Sequence, residues 1–161
     1  FNHNIQELKK LGMPFGIYHY FRPNENAIDQ FANFKKHNSI FGKLPPAVDV
    51  EENSEFGSKY FKKELLIFLN LIEKEYNIKP IIYAPQKFYN LYLWKDFQNY
   101  DFWIARQHGI NDLPNNNKIG KNPNLLGFKC PVIWQYSGTG KVNGINSKVD
   151  LNITSKAIWS Y

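Results

Sequence analysis

The apolar positions of the chain follow a helical period in three stretches. Residues 58–76 are the clearest case, because one face is apolar while lysines and glutamates occupy the other. Residues 2–11 and 24–37 show the same period, and Gly12 is a stop signal behind the first of them. The pattern predicts three amphipathic helices. The apolar stripe of the clearest helix consists of Phe61, Leu65, Phe68, Leu69 and Ile72.

Short aromatic and β-branched runs separate these helices and follow them, and a short helical piece is predicted at 86–94. Because strands alternate with helices over most of the chain, the order predicts an α/β domain with a parallel sheet. The last two strands have no helix between them, so the pattern becomes irregular at its end. The predicted strands are 15–21, 46–51, 81–84, 101–107, 132–137 and 148–153.

Two stretches of the chain are predicted to be loops. Residues 109–127 are rich in Asn, Gly and Pro, and a loop of this length in a compact domain is usually functional or mobile. The Gly-rich joint 138–147 lacks the spacing of a phosphate-binding loop, so we interpret it as hairpin turns.

The length of 161 residues and the lack of an evident linker or repeat predict one domain over residues 1–161. We expect an irregular (β/α) TIM-like barrel, or a piece of one, with an open doubly wound sheet as the alternative. No G-x-G-x-x-G follows a predicted strand, which argues against a dinucleotide-binding version of that alternative.

Composition and charge exclude only a few classes of binding partner. The net charge of +6 favours polyanions, but the basic residues are scattered and no nucleic-acid motif is present, so no nucleic-acid partner is predicted. No apolar run is long enough for a membrane span. Cys130 is the only cysteine, which rules out a disulfide within the chain, and we expect a buried, inert thiol. The oligomeric state is left open.

Two carboxylates occupy the predicted strand 46–51, although burial of charge is costly. Asp49 and Glu51 are two positions apart, so their side chains point to one face, roughly 6.5 to 7 Å apart along the strand. Glu51 precedes a polar stretch, at the C-terminal strand end where barrel enzymes carry their chemistry. Asp150 lies among apolar residues on another predicted strand and is the third candidate.

Paired carboxylates have a known chemical use. A neighbouring negative charge raises the pKa of a partly buried carboxylic acid, and a Glu that stays protonated near neutral pH can protonate a leaving-group oxygen. Glycoside cleavage needs that donor and a second carboxylate near the sugar ring.

Two other interpretations of these carboxylates remain open. In one, Asp49 and Glu51 cap a loop and stay solvated. In the other, both join Asp150 as oxygen ligands of a metal ion. The histidines have no metal-ligand spacing, and neither a metal nor another cofactor is predicted. The histidines are His3, His19, His37 and His108.

Six ordered segments together are more specific than any one of them. They are FGIYHYF (15–21), AVDVE (47–51), PIIYAP (80–85), FWIAR (102–106), IWQYSGTGKVNGI (133–145) and VDLN (149–152). In order and rough spacing the chain resembles glycoside hydrolase family 25. This family comprises lysozymes (N-acetylmuramidases) that cut the β-1,4 bond between N-acetylmuramic acid and N-acetylglucosamine in peptidoglycan.

The resemblance implies an irregular β/α barrel, no cofactor, glycan strands of peptidoglycan as the partner, and an extracellular or cell-wall-directed location. The family's D-x-E falls on Asp49 and Glu51, with Glu51 as proton donor and Asp49 tuning it or assisting the substrate's acetamide. The late V-D-x-N aspartate falls on Asp150, as nucleophile or as the group orienting the acetamide.

Aromatic side chains in the matching segments are expected to stack on sugar faces or to bond to hydroxyl and acetamide groups, with packing in the barrel core as the alternative for each. They are Tyr20, Tyr83, Trp103, Trp134 and Tyr136.

The start of the chain departs from the family pattern, and this departure bears on whether an active enzyme is expected. Family members open with a strand carrying an Asp at the groove and then a second strand, whereas this chain is expected to begin after both. Strands missing from a barrel leave unpaired sheet edges. A catalytically impaired peptidoglycan-binding module is therefore the alternative to an active glycosidase, and a metal-dependent hydrolase is a third hypothesis.

Overall fold

The computed structural model describes residues 2–37, 42–107, 123–128 and 130–154. The chain divides into two compact units, the first extending to Ile82 and the second beginning at Tyr83. The predicted single domain over 1–161 stays a prediction. His108 and most of the predicted loop 109–127 lie outside the described residues.

The first unit alternates helices with short strands. Its elements are α1 (Asn2–Lys10), β1 (Tyr18–Tyr20), α2 (Ala27–His37), β2 (Ala47–Asp49), α3 (Ser58–Tyr76) and the start of β3 (Ile81–Pro85). Strands β1 and β2 are parallel, with Tyr18 opposite Ala47 and Tyr20 opposite Asp49, and β3 is next to β2 in the strand order. The predicted alternation of helices and strands is confirmed here.

Helix α3 has the bounds that the apolar stripe predicts, Ser58–Tyr76. All five residues of the stripe are fully buried, because they face the strands and helix α2 rather than solvent. The helix ends where Asn77 adopts a left-handed conformation and its amide donates to the Glu73 carbonyl. Pro80 then prevents continuation.

An aromatic layer joins β1 to helices α2 and α3. Phe68 lies at its centre, with ring centroids 4.7 Å from His19 and 6.0 Å from Phe34. A buried polar contact also joins α2 to α3: Glu64 of α3 accepts a hydrogen bond of 2.9 Å from the Ala27 amide, the first of α2. A carboxylate suits this position because the first amides of a helix have no partner within the helix.

The second unit contains the remainder of β3 and three further strands. Its elements are α4 (Gln86–Phe88), a π-helical turn (Tyr89–Leu93), β4 (Asp101–Ala105), a 3-10 turn (Leu126–Phe128), β5 (Ile133–Gly140) and β6 (Val149–Thr154). The strand order is β3-β4-β5-β6, with β4 and β5 parallel and β5 and β6 antiparallel. The hairpin predicted at the end of the chain is therefore confirmed, although β5 reaches Gly140.

Cys130 corrects one prediction. Its side chain is exposed rather than buried, because it lies in the connecting segment before β5 and not in a strand. Among the residues described, no helix is both long and apolar enough to cross a membrane.

Candidate active site

The C-terminal ends of β1 and β2 bring Tyr20 and Asp49 side by side. The two residues are register partners, and the Phe21 amide donates to the Asp49 carbonyl at 2.9 Å, which extends the pairing past the strand end. Val48 and Val50 are buried while Asp49 is half-buried and Glu51 exposed. The alternation predicted for this strand is therefore present, with the carboxylates on the more accessible face.

Burial raises the pKa of Asp49 to about 7, with the charge of Glu51 and a hydrogen bond between the two carboxyls adding to the effect. Asp49 Oδ1 is buried and has no hydrogen-bond partner among the described residues. The raised pKa belongs to Asp49, which is held on the strand, and the role of Glu51 as proton donor stays a prediction. Asp49 thus keeps its proton up to about neutral pH.

Glu52 is a third carboxylate that the sequence argument did not select. Burial raises the pKa of the Tyr20 hydroxyl, and the charge of Glu52 and a hydrogen bond to it raise that pKa further. The charges of Glu51 and Asp49 act in the same direction. The pKa of Tyr20 therefore responds to Glu52 and to both predicted catalytic carboxylates, which puts its hydroxyl in the electrostatic field of all three acids. The adjacency of Glu51 and Glu52 was the only signal in the sequence.

The other face of β1 is tied to helix α2 through His19. The imidazole Nε2 is 3.1 Å from the Oε1 atom of Gln30, which also accepts from the Arg22 amide at 2.9 Å. The Gln30 amide group donates to the carbonyls of Arg22 and Glu25. Burial lowers the pKa of His19. This network fixes the segment that follows Tyr20.

In the second unit, one face of the sheet carries two aromatic side chains with bonded polar partners. The Tyr83 hydroxyl donates to Gln135 Oε1 at 2.7 Å, and the Trp103 indole donates to Asn152 Oδ1 at 2.8 Å. The two rings meet edge to face, with centroids 5.4 Å apart. Gln135 and Asn152 are register partners, so they share this face. Sequence reasoning found both aromatics but neither of their polar partners.

Asp150 is exposed on β6, two residues before Asn152. Because side chains alternate along a strand, it lies on the same sheet face as Asn152. The structure therefore places Asp150 with Trp103 and Tyr83 in the second unit. Its predicted convergence with Asp49 and Glu51 stays a prediction.

Trp134 and Tyr136 differ from Trp103 and Tyr83 in their positions on β5. Trp134 pairs with Ile104 and Ile153, which puts it on the face opposite to Gln135, and only 4% of its surface is exposed. Its indole donates to the Arg106 carbonyl at 3.1 Å. Tyr136 is half-buried at a register irregularity of β5. This environment favours the packing alternative for Trp134.

Within the described ranges, no group of three or more His, Cys, Asp or Glu side chains is arranged to hold a metal ion. The described side chains offer proton transfer from carboxyl groups, with hydrogen bonding and stacking from tyrosine and tryptophan.

Parallel strands, a pair of carboxyl groups at a strand end and half-buried aromatic side chains are features of an α/β glycoside hydrolase. The chain belongs to glycosyl hydrolases family 25, because the model of that family matches residues 1–145. The structure of a family 25 glycosyl hydrolase from Bacillus anthracis is similar, with 28% identity and a TM-score of 0.77. The match covers 97% of this chain and 70% of that one. This likeness confirms the predicted fold class, an irregular (β/α) TIM-like fold.

Two curated relatives are also similar. The uncharacterized protein YegX of Escherichia coli K12 is 32% identical over 154 residues, which cover 95% of this chain and 52% of YegX. The autolytic lysozyme of Clostridium acetobutylicum is 26% identical over 151 residues, which cover 93% of this chain and 42% of the lysozyme. The chain thus spans about half the length of the curated relatives it matches.

Proposed function

We propose that this chain is a peptidoglycan hydrolase of the lysozyme type, which cleaves the β-1,4 bond between N-acetylmuramic acid and N-acetylglucosamine. Membership of family 25 and the similarity to an autolytic lysozyme support the substrate class. The observation that carries the proposal is the position of Asp49 and Glu51 at the end of β2, where burial and the neighbouring Glu51 raise the pKa of Asp49 to about 7. Its substrate would place the protein at a cell wall.

Glu51 acts as the proton donor in this proposal. Its exposed carboxyl group transfers a proton to the glycosidic oxygen while the bond from that oxygen to the sugar's anomeric carbon breaks. Before this step the proton held by Asp49 passes to the neighbouring Glu51, so Glu51 is protonated when the bond breaks. Asp49 then carries a negative charge, which favours the positive charge developing on the sugar ring.

Asp150 supplies the second carboxylate, either as nucleophile or as the group that orients the substrate's acetamide for attack. Its exposure and its sheet face, shared with Trp103 and Tyr83, support a role in contact with substrate. Trp103 and Tyr83 have their polar atoms bonded within the protein, so they would offer ring surface to the sugar. Tyr20 would contact the sugar beside the carboxyl pair.

The test is the clearing of purified cell walls, followed by turbidity. Wild-type protein should clear the walls, and Glu51→Gln should lower the rate by roughly 10²- to 10⁴-fold, the usual contribution of a general acid. Glu55→Gln is the matched control, since Glu55 is an exposed glutamate in the same segment, and it should keep wild-type activity.

Two outcomes would contradict this proposal. Wild-type protein that sediments with cell walls without clearing them would instead be a catalytically impaired binding module. Activity that disappears on chelation with EDTA and returns with a divalent metal would indicate a metal-dependent hydrolase.

A further inference from the structure

Asn24 joins the segment after β1 to the segment after β2. Its Oδ1 atom accepts hydrogen bonds from the Ser54 hydroxyl at 2.8 Å and from the Glu55 amide at 2.9 Å, across about thirty positions of sequence. Because a backbone amide can only donate, the side-chain atom that faces it is the oxygen, which fixes the orientation of the Asn24 amide group.

The segment that Asn24 contacts is an ordered turn at Ser54. Ser54 is buried, its hydroxyl also accepts from the Phe56 amide at 3.1 Å, and its carbonyl accepts from the Gly57 amide at 3.0 Å. The turn leads directly into α3, and the Asn53 side chain donates to the Ser58 hydroxyl at the start of that helix. Asn24 therefore bonds to a turn that is already ordered by its own hydrogen bonds.

The segment that contains Asn24 is also fixed by hydrogen bonds. Asn24 lies between Arg22 and Glu25, and both of these residues are bonded through their backbones to the side chain of Gln30. Gln30 is on α2 and only 3% exposed. Gln30 thus holds the backbone on both sides of Asn24, and the Asn24 side chain in turn bonds to the turn at Ser54.

Between β2 and that turn lie only residues 50–53, which include Glu51 and Glu52. The strand fixes one end of this short span at Asp49, and Asn24 fixes the other at Ser54. We propose that Asn24 is a positioning residue, which sets the place of the Glu51 and Glu52 carboxyls relative to Asp49. This role rests on the proposed function, in which Glu51 is the proton donor.

The test compares Asn24→Ala with Asn24→Asp. Alanine removes both hydrogen bonds, and we expect kcat to fall by about ten- to a hundredfold with little change in KM, since small displacements of a reacting group have large effects on rate. Aspartate retains an acceptor oxygen at the same place, so it should restore most of the lost rate.

The matched control is Asn26→Ala. Asn26 lies in the same segment, but its side chain accepts from the Ile28 amide at 2.8 Å at the start of α2 and not from the turn at Ser54. It should lower thermal stability, as the loss of a helix cap does, without lowering kcat. Equal losses of kcat in Asn24→Ala and Asn26→Ala would show that stability alone is responsible and would overturn the proposal.

A second readout does not depend on activity. The charge and hydrogen bond of Glu51 help to raise the pKa of Asp49, so displacement of Glu51 should lower that pKa, which carbon-13 NMR titration of the Asp49 carboxyl can follow. If wild-type protein clears no cell walls, this titration still tests the positioning. An Asp49 pKa that is the same in wild type and Asn24→Ala would overturn it. Should Asn24→Ala fail to fold, Ser54→Ala removes one of the two Asn24 bonds from the other side, together with the bond from the Phe56 amide. The same direction of change is then expected in kcat and in the Asp49 pKa.

Discussion

Asp49 and Glu51 lie next to each other at the end of β2, where burial raises the pKa of Asp49 to about 7 and Glu51 adds to the rise. The ordinary value for this group is 3.8, so between these two pH values the folded protein binds more protons than the unfolded chain. The free energy of unfolding should therefore decrease as pH rises from about 4 to about 7, and this contribution should then level off. Asp49 is partly accessible, so screening by solvent limits the effect to about 1 to 2 kcal/mol.

Asp49→Asn should abolish this decrease. Urea unfolding of wild type and variant at pH 4.5 and at pH 8 measures the difference, and the variant should gain relative stability at the higher pH. Asp29→Asn, which changes an exposed aspartate on α2, should keep the wild-type dependence. Wild-type and Asp49→Asn stabilities that change in parallel with pH would contradict the assignment.

His19 should give the opposite slope. Burial lowers its pKa below the ordinary 6.5, so the unfolded chain binds a proton more readily than the folded protein. This contribution is present above about pH 6.5 and is lost as pH falls towards the folded value. His19→Phe keeps a ring against Phe68 and should reduce the loss of stability on acidification, measured as the thermal midpoint at pH 7 and pH 5. An unchanged loss would show that another group titrates.

Trp103 and Trp134 should separate into binding and packing roles. Trp134 is buried, so Trp134→Ala should cost about 3 to 5 kcal/mol of unfolding free energy. Trp103→Ala should cost less and should weaken co-sedimentation with cell walls. A decrease in wall binding for the conservative Trp134→Phe at wild-type stability would instead put the Trp134 ring in contact with the glycan.

Gln30 should contribute more to the free energy of unfolding than a typical polar side chain does. Gln30→Ala leaves the Arg22 amide and the carbonyls of Arg22 and Glu25 without their side-chain partner. We expect a loss of about 2 to 3 kcal/mol in chemical unfolding, since each buried group left unpaired costs about 1 to 3 kcal/mol and solvent reaches part of this segment. Gln6→Ala, on an exposed position of α1, should leave stability nearly unchanged.

The features that sequence predicted well are those that depend on neighbours along the chain. The stripe of α3 gave its bounds because burial of one helical face follows a fixed period. The alternation around Asp49 likewise follows from strand geometry. By contrast, the predicted helix at 86–94 is α-helical only over Gln86–Phe88 and continues as a π-helical turn, which no periodic pattern distinguishes.

Contacts between distant residues were not predictable from local patterns. Asn24 and Ser54 are thirty positions apart, and each looks like an ordinary loop residue in the sequence. Trp103 and Trp134 have similar aromatic, β-branched surroundings, and only the strand register shows that they occupy opposite faces. The raised pKa of Asp49 depends on how deeply its carboxyl is buried, which the spacing of two acidic residues does not determine.

The buried Glu64 has a consequence for how α2 and α3 find their alignment. Burial of apolar surface is not directional, so the phenylalanine layer alone does not specify a single alignment of the two helices. The hydrogen bond from the Ala27 amide to Glu64 is directional. A shift between the two helices would break it and leave a buried carboxylate oxygen without its partner, which costs free energy. A mutated form lacking this carboxylate would therefore be expected to keep its helices yet sample several registers between them.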